Sequence, residues 1–278
     1  AVAGKEPRPV KRLYWAGLTI MTALSLLTCR RAIAVSNYAR KALTFGISRR
    51  LQNKVSVIYH GVRESFVPPE TARSGKFLLA VSDIYVQKNL HTLINALGEL
   101  RRTNPDIVLK LAGKAIDQGY LNELQNAIRV ENLEDAVEFL GEMNSDQLLD
   151  LYQNCTAFVF PSTVETFGNP LVEAMACGAP IVSSNTAAMP EILGEAAIYF
   201  DPLNARDMAA QIDEILTNAE LRQRLSDRAL QRAALFSWRN TAQQTADVIK
   251  TVAPDRYQAI AKSVANSPVG GEPVETTS

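Results

Sequence analysis

At 278 residues and 47% apolar content with few aromatics, the chain is long enough for one large domain or one and a half ordinary ones, and its composition is that of a globular protein. Its net charge is zero, but residues 1–63 carry twelve Lys and Arg against one acid, Glu6, a local +11 that the remaining residues balance with −11. This division speaks against a protein that coats nucleic acid and sets a basic face beside an acidic domain, suited to anionic substrates or a membrane surface, with a solvated basic surface as the plain alternative.

The first apolar run, W-A-G-L-T-I-M-T-A-L-S-L-L-T-C from Trp15 to Cys29, falls short of the roughly twenty residues that span a membrane and reads as a buried or interfacial helix. Lys11 and Arg12 before it and A-I-A behind it would suit a signal peptide, but Arg30 and Arg31 directly after it do not. A strand at A-I-A-V-S (32–36), a helix from Asn37 and a strand at V-S-V-I-Y (55–59) follow. Two strands are too few to close a doubly wound sheet, so this section is expected to be the tail end of a preceding domain.

From Lys76 the pattern changes to short apolar runs alternating with helical periodicity, the signature of βαβ units and a parallel sheet. Strands are predicted at 76–82, 107–113, 137–141, 157–161, 180–184 and 196–202. Helices are predicted over 89–100, 119–130 and 146–155, the last capped by Ser145 or Asp146, and over 170–177, with Pro170 at its first position and Gly178 just past its end. P-E-I-L-G reads as a short helix, and 205–252 as three helical pieces broken near Asn218 and Ser237. The tail from Pro254 has the composition of a disordered terminus.

Cys29, Cys155 and Cys177 show no C-x-x-C spacing, which leaves no disulfide framework or zinc site to propose and fits a reducing cytosol. With two histidines and no H-E-x-x-H, metal hydrolysis has no footing.

The chemistry concentrates in V-E-T-F-G-N-P-L-V-E, Val164 to Glu173, between the fourth strand and its helix. In open parallel sheets ligands bind beyond the carboxyl ends of the strands. A helix starting near Pro170 offers free N–H groups and a positive dipole end, and Gly168-Asn169 before it lets backbone approach a bulky anion, for which a diphosphate is the natural occupant. Glu173, one turn into that helix, would repel phosphate but can accept hydrogen bonds from a ribose diol. Glu165, on the loop, can reach another part of the same ligand. By spacing alone, Glu173 can equally be a solvated helix residue and Glu165 a loop charge.

The segment F-V-F-P-S-T-V-E-T-F-G-N-P-L-V-E-A-M-A-C-G-A-P-I-V closely resembles the Glu-x7-Glu region of the retaining glycosyltransferases of family 4, group 1 enzymes with the two-domain GT-B fold. A-V-S-D-I-Y-V-Q-K-N-L resembles the strand and loop that carry that family's donor-binding lysine, A-I-A-V-S-N-Y-A-R and V-I-Y-H-G-V its last N-domain strand and linker, and F-S-W-R-N-T-A the start of a helix that crosses back. The resemblance covers residues from about 30 to 252. It implies an α/β fold of GT-B type, a Rossmann-like parallel sheet flanked by helices with an incomplete N-terminal Rossmann-like domain. Residues 1–62 would be acceptor-side domain and linker, 63–236 the nucleotide-sugar-binding domain, 237–252 the crossover helix and 253–278 a disordered tail.

The same resemblance implies that Glu173 holds the ribose, Glu165 contacts the transferred sugar, and the segment Phe167, Gly168, Asn169 and Pro170 meets sugar and phosphate. Lys88 would stabilise the departing diphosphate without a metal or other cofactor, the nucleotide sugar being a co-substrate; the plain alternative is a helix-start lysine with Asn89 as a cap. Two departures stand out. Ser82-Asp83 occupies the place of the family's Gly-Arg, removing a phosphate-binding arginine unless another Arg or Lys compensates. T-A-A-M-P-E replaces a glycine pair, but Ala187 and Ala188 are small enough to leave their N–H groups accessible.

The expected function is therefore retaining transfer of a hexose from a nucleotide diphosphate sugar to a glycan or lipid-linked hydroxyl, in the cytoplasm or at the inner membrane face through residues 1–63, with no nucleic-acid partner. Transfer is expected to be weak or absent if the acceptor-side half is missing. The T-A-A-M-P-E and I-Y-V-Q-K-N variants resemble mannosyltransferase-like members, which points to GDP-mannose. Two other classes stay open: a non-catalytic nucleotide-sugar-binding module, and a sugar epimerase of the same fold, which would need more carboxylate and histidine catalysts.

Overall fold

The computed structural model describes residues 9–44, 49–71 and 73–255. The expected disordered tail lies, from residue 256 on, outside the described residues, as do Lys5, Glu6 and Arg8 of the basic segment.

The first part comprises α1 (Pro9–Thr28), β1 (Ala32–Ala34), α2 (Asn37–Leu43), α3 (Arg49–Gln52) and β2 (Val55–Val57). β1 and β2 pair in parallel with Ala32 opposite Val55. Pairing stops at Ala34 because Ser36 already turns the chain into α2, its hydroxyl accepting the Ala39 N–H at 2.9 Å. α3 escapes sequence reading because four residues carry no period. Ile20, Met21, Leu24 and Leu27 of α1 are exposed while Leu26 is buried. Among the described residues no helix is long and apolar enough to cross a membrane.

The second part is a six-stranded parallel sheet in the order β5-β4-β3-β6-β7-β8. In chain order it runs β3 (Phe77–Val81), a 3-10 turn (Val86–Lys88), α4 (Leu90–Leu100), β4 (Val108–Ala112), α5 (Gln118–Val130), β5 (Val137–Gly141), α6 (Ser145–Asn154), β6 (Ala157–Phe160), α7 (Asn169–Ala176), β7 (Ile181–Ser184), α8 (Met189–Leu193), β8 (Ala197–Phe200), α9 (Ala205–Thr217), α10 (Ala219–Ala233) and α11 (Trp238–Val252). The apolar runs are continuous because both faces are covered. Along β3, Leu78 and Ala80 join the core under α4, α5 and α9, whereas Phe77, Leu79 and Val81 join the core under α6, α7 and α8. The chain steps outward from β3 to β5, then returns to β6 and steps the other way, so the order reverses between β3 and β6, where an open α/β sheet leaves a crevice for ligand.

Two boundaries differ from the sequence reading. α6 is capped by Asn144, which forms a reciprocal capping box with Gln147, and not by Ser145 or Asp146. α7 begins at Asn169, so Pro170 is second, because Gly168 is the N-cap in a left-handed conformation (φ 86°). α7 ends as expected, with Gly178 at φ 61° just beyond it.

α11 lies back against the first part. Thr241 donates to the Tyr59 carbonyl at 2.7 Å and Arg30 to the Val252 carbonyl at 2.8 Å. Gly61 passes so close to α11 that a Cβ there would sit 2.1 Å from the Trp238 nitrogen.

Candidate active site

At the carboxyl ends of β3, β4 and β5, facing the start of α7, a cleft of about 320 Å³ is lined by Ser82, Asp83, Lys88, Gly113, Lys114, Glu142, Asn169, Pro170 and Glu173. A larger groove, about 790 Å³, lies at the opposite end of the sheet. Its arginines are already committed to helix C-termini: Arg73 donates to the carbonyls of Tyr152 and Gln153 at 2.6 and 2.7 Å and to that of Cys177, and Arg222 to those of Ile215 and Leu216. The chemistry therefore lies in the smaller cleft.

Lys88 ends the 3-10 turn, and its ammonium pairs with Glu165 Oε1 at 2.5 Å, with the two side chains only 12% and 17% exposed. Burial works against the lysine's charge, but the Glu165 hydrogen bond and attraction, joined by Tyr85, outweigh it and hold the pKa above the ordinary value. Lys88 is charged throughout the physiological range. Asn89 is not a simple helix cap. It is buried in a left-handed conformation (φ 56°), donates to the carbonyls of Pro161 and Pro202 at 3.0 and 2.7 Å, and accepts from Thr92. It thus ties the Lys88 turn to the ends of β6 and β8.

Glu173 projects from the first turns of α7 and accepts a hydrogen bond from the Tyr152 hydroxyl at 3.0 Å. Burial raises its pKa, against the opposing pull of Tyr152 and Arg63. A half-desolvated carboxylate with one protein donor retains acceptor capacity for hydroxyls in the cleft. Tyr152 is fully buried and, as a residue in an apolar helix face, was not singled out from the sequence.

The remaining predicted residues separate into two groups. Ser82, Asp83, Asn169 and Pro170 line the cleft with Lys88 and Glu173, while Glu165, Phe167 and Gly168 do not. Glu165 reaches it through Lys88. Phe167 is buried against Tyr59, His60 and Phe236. Asn169 Oδ1 accepts from His60 Nδ1 at 3.0 Å, which puts the imidazole in the tautomer protonated at Nδ1. Asp83 accepts the Lys114 backbone N–H at 3.2 Å, so its carboxylate braces the β4–α5 turn. Among the described residues the Lys114 ammonium has no ion-pair partner. That lysine was missed, although a cation directly after Gly113 at a strand end is a readable signal.

The T-A-A-M-P-E reading needs correction. The Ala188 N–H is not accessible to a ligand, because it donates to the Glu165 carbonyl at 3.3 Å. Ala187 adopts φ 54°, a conformation glycine takes without strain, which is a physical reason for the glycine pair of relatives. The cysteines are free, and burial pushes the thiols of Cys155 and Cys177 up to about 12, far from a reactive thiolate.

A family model described as glycosyl transferases group 1 matches residues 62–232. The serotype-specific mannosyltransferase WbdA of Escherichia coli is 32% identical over 201 residues, 70% of this chain and 24% of WbdA. Glycogen synthase of Mycobacterium tuberculosis is 32% identical over 201 residues, again 70% of this chain and 48% of the synthase. The chain thus spans about a quarter to a half of the length of these relatives. Among solved structures, Anabaena HepE in complex with UDP and glucose superposes with a TM-score of 0.77 at 24% identity, covering 85% of this chain and 67% of HepE. At that identity the likeness is one of fold, the GT-B type.

Proposed function

The chain belongs to the group 1 glycosyltransferases, and on that premise we propose that the cleft binds a nucleoside-diphosphate sugar and that the protein transfers its hexose, with retention, to a hydroxyl of a glycan or lipid-linked acceptor. The observation that carries the reading is the convergence of Lys88, Glu173 and the start of α7 on one cleft at the switch point of the sheet. Glu173 receives the ribose hydroxyls, the start of α7 faces the diphosphate, and Glu165 orients the sugar beside Lys88. Relatives that include a mannosyltransferase favour GDP-mannose.

In the reaction the sugar C1–O bond to the diphosphate breaks while the acceptor oxygen bonds C1 on the same face, and the acceptor proton passes to the leaving phosphate oxygen. Lys88 neutralises the charge that develops there, the role a metal fills in other transferases. Lys114, which lines the same cleft, supplies the second cation that Asp83 removes. The same proposal divides the chain at 62, 236 and 252, and lets the exposed apolar face of α1 with Arg30 and Arg31 meet an anionic inner membrane surface. Asp83 in place of a phosphate-binding arginine favours a second reading, a module that binds the nucleotide sugar without transferring it.

Calorimetric titration with GDP, UDP and ADP tests the proposal. One nucleotide is expected to bind, GDP first, and Lys114→Ala is expected to weaken it by about fivefold, the worth of a partly exposed charge contact of about 1 kcal/mol. Absence of binding by all three ends the donor-site reading. Binding of the nucleotide sugar without release of nucleoside diphosphate in the presence of acceptors would favour the second.

A further inference from the structure

Glu191 stands outside the cleft, on α8, yet it is the most densely hydrogen-bonded carboxylate among the described residues. Its Oε1 accepts from the backbone N–H of Asn37 at 2.6 Å, from Asn37 Nδ2 at 2.9 Å and from the Tyr59 hydroxyl at 2.9 Å. Its Oε2 accepts from the Tyr38 N–H at 2.9 Å. A carboxylate of the second part of the chain thus caps a helix of the first. Arg232 fixes the strand of backbone that carries it, donating to the carbonyls of Glu191 and Ile192 at 2.7 and 3.0 Å.

These bonds close a ring around the loop of Glu165. Ser36, immediately before the capped residues and itself fully buried, donates to the Thr166 carbonyl at 2.5 Å. On the other side, Ala188, the N-cap of α8, donates to the Glu165 carbonyl. Tyr59 adds a third hold, its ring packing on Phe167 at 6.2 Å between centroids. Thus the ring of Phe167 packs on Tyr59, which Glu191 binds directly, the Thr166 carbonyl is held by Ser36, the residue before the Asn37 N–H that Glu191 binds, and the Glu165 carbonyl is held by Ala188, the N-cap of the helix that carries Glu191. A carboxylate accepting several N–H and O–H donors is a strong and directional anchor, and removing its charge leaves those donors aimed at a weaker acceptor.

We propose that Glu191 is a positioning residue that, through Ser36, Ala188 and Tyr59, locks the 162–168 loop so that the Glu165 carboxylate is presented to the sugar beside Lys88. The inference rests on the reading of the cleft as a donor site. The lock acts on the sugar end of the ligand and not on the nucleotide end, because Glu173 and the start of α7 make none of these contacts.

Glu191→Gln keeps the shape, removes the charge and places an amide N–H against the Tyr38 N–H. It is expected to speed amide hydrogen exchange across 163–168 at least tenfold, while core strands such as β6 exchange as before. The affinity for the nucleoside diphosphate should stay within twofold, and the extra affinity that the attached hexose confers should fall about tenfold. Glu191→Asp, charged but one methylene short, should restore part of the hexose effect, and Ser36→Ala should reproduce the faster exchange of 163–168 should Glu191→Gln not fold. Unchanged exchange in the loop overturns the proposal, as does an equal loss of affinity for nucleotide and nucleotide sugar, the mark of a merely structural role. Failure of the unmodified chain to bind either ligand overturns the donor-site reading first, and is seen before any variant is made.

Discussion

Lys88→Ala is expected to lower sugar transfer by roughly a thousandfold, at the upper end of what one preorganised charge contributes to a transition state. The loss is larger than for an exposed lysine because the substitution does two things at once. It removes the cation beside the departing diphosphate, and it leaves Glu165, 17% exposed and now unpaired, as a bare negative charge at the same place. Glu165→Gln separates these effects. It frees Lys88 from its 2.5 Å partner, so the nucleoside diphosphate alone is expected to bind several-fold more tightly while transfer still falls. Steady-state rates alongside nucleotide affinities for the two variants check this pair of opposite responses, and equal losses of affinity in both would contradict it.

Glu173→Gln is expected to weaken nucleotide binding by about a hundredfold, since hydrogen bonds from two hydroxyls to a charged acceptor contribute about 1.5–3 kcal/mol each and a neutral amide recovers only part of that. The same substitution is expected to stabilise the fold at neutral pH. Burial raises the Glu173 pKa above its value in the unfolded chain. Its ionised form therefore costs the folded state, a cost absent below the unfolded pKa, growing as pH rises toward the folded pKa, and complete above it. Glutamine has no charge to bury, and its carbonyl still accepts from Tyr152. Melting temperatures of variant and parent should converge at low pH and separate, with the variant higher, above the ordinary carboxylate range. A gain in stability coupled to a loss of binding is the behaviour of a residue retained for its ligand.

What the sequence made legible follows from periodicity. Parallel strands covered on both faces read as unbroken apolar runs, so the runs around Leu78, Leu109, Phe158 and Val182 located the sheet, and Gly168, Pro170 and Gly178 bracketed the helix that faces the cleft. The Glu165 to Glu173 spacing placed both carboxylates near one strand end, and the resemblance named Lys88. What could not be read were partners distant in the chain. The Lys88–Glu165 pair joins residues 77 positions apart, and Glu191 meets Asn37 across 154. Nothing local in a Pro-Glu dipeptide distinguishes a surface acid from an anchor. Asn89 looked like a cap because asparagine before a helix usually is one. Its left-handed backbone instead turns the amide inward to Pro161 and Pro202, a placement only the tertiary structure determines.

The most direct test of the donor site is a crystal structure of the chain with GDP-mannose or whichever nucleotide sugar it binds. The account predicts ribose hydroxyls within hydrogen-bond distance of Glu173, the diphosphate between the start of α7 and the ammonium groups of Lys88 and Lys114, and the hexose against Glu165. A nucleotide bound elsewhere, such as in the groove between Arg73 and Arg222, or one lying in the cleft with its phosphates turned away from Lys88, would contradict it.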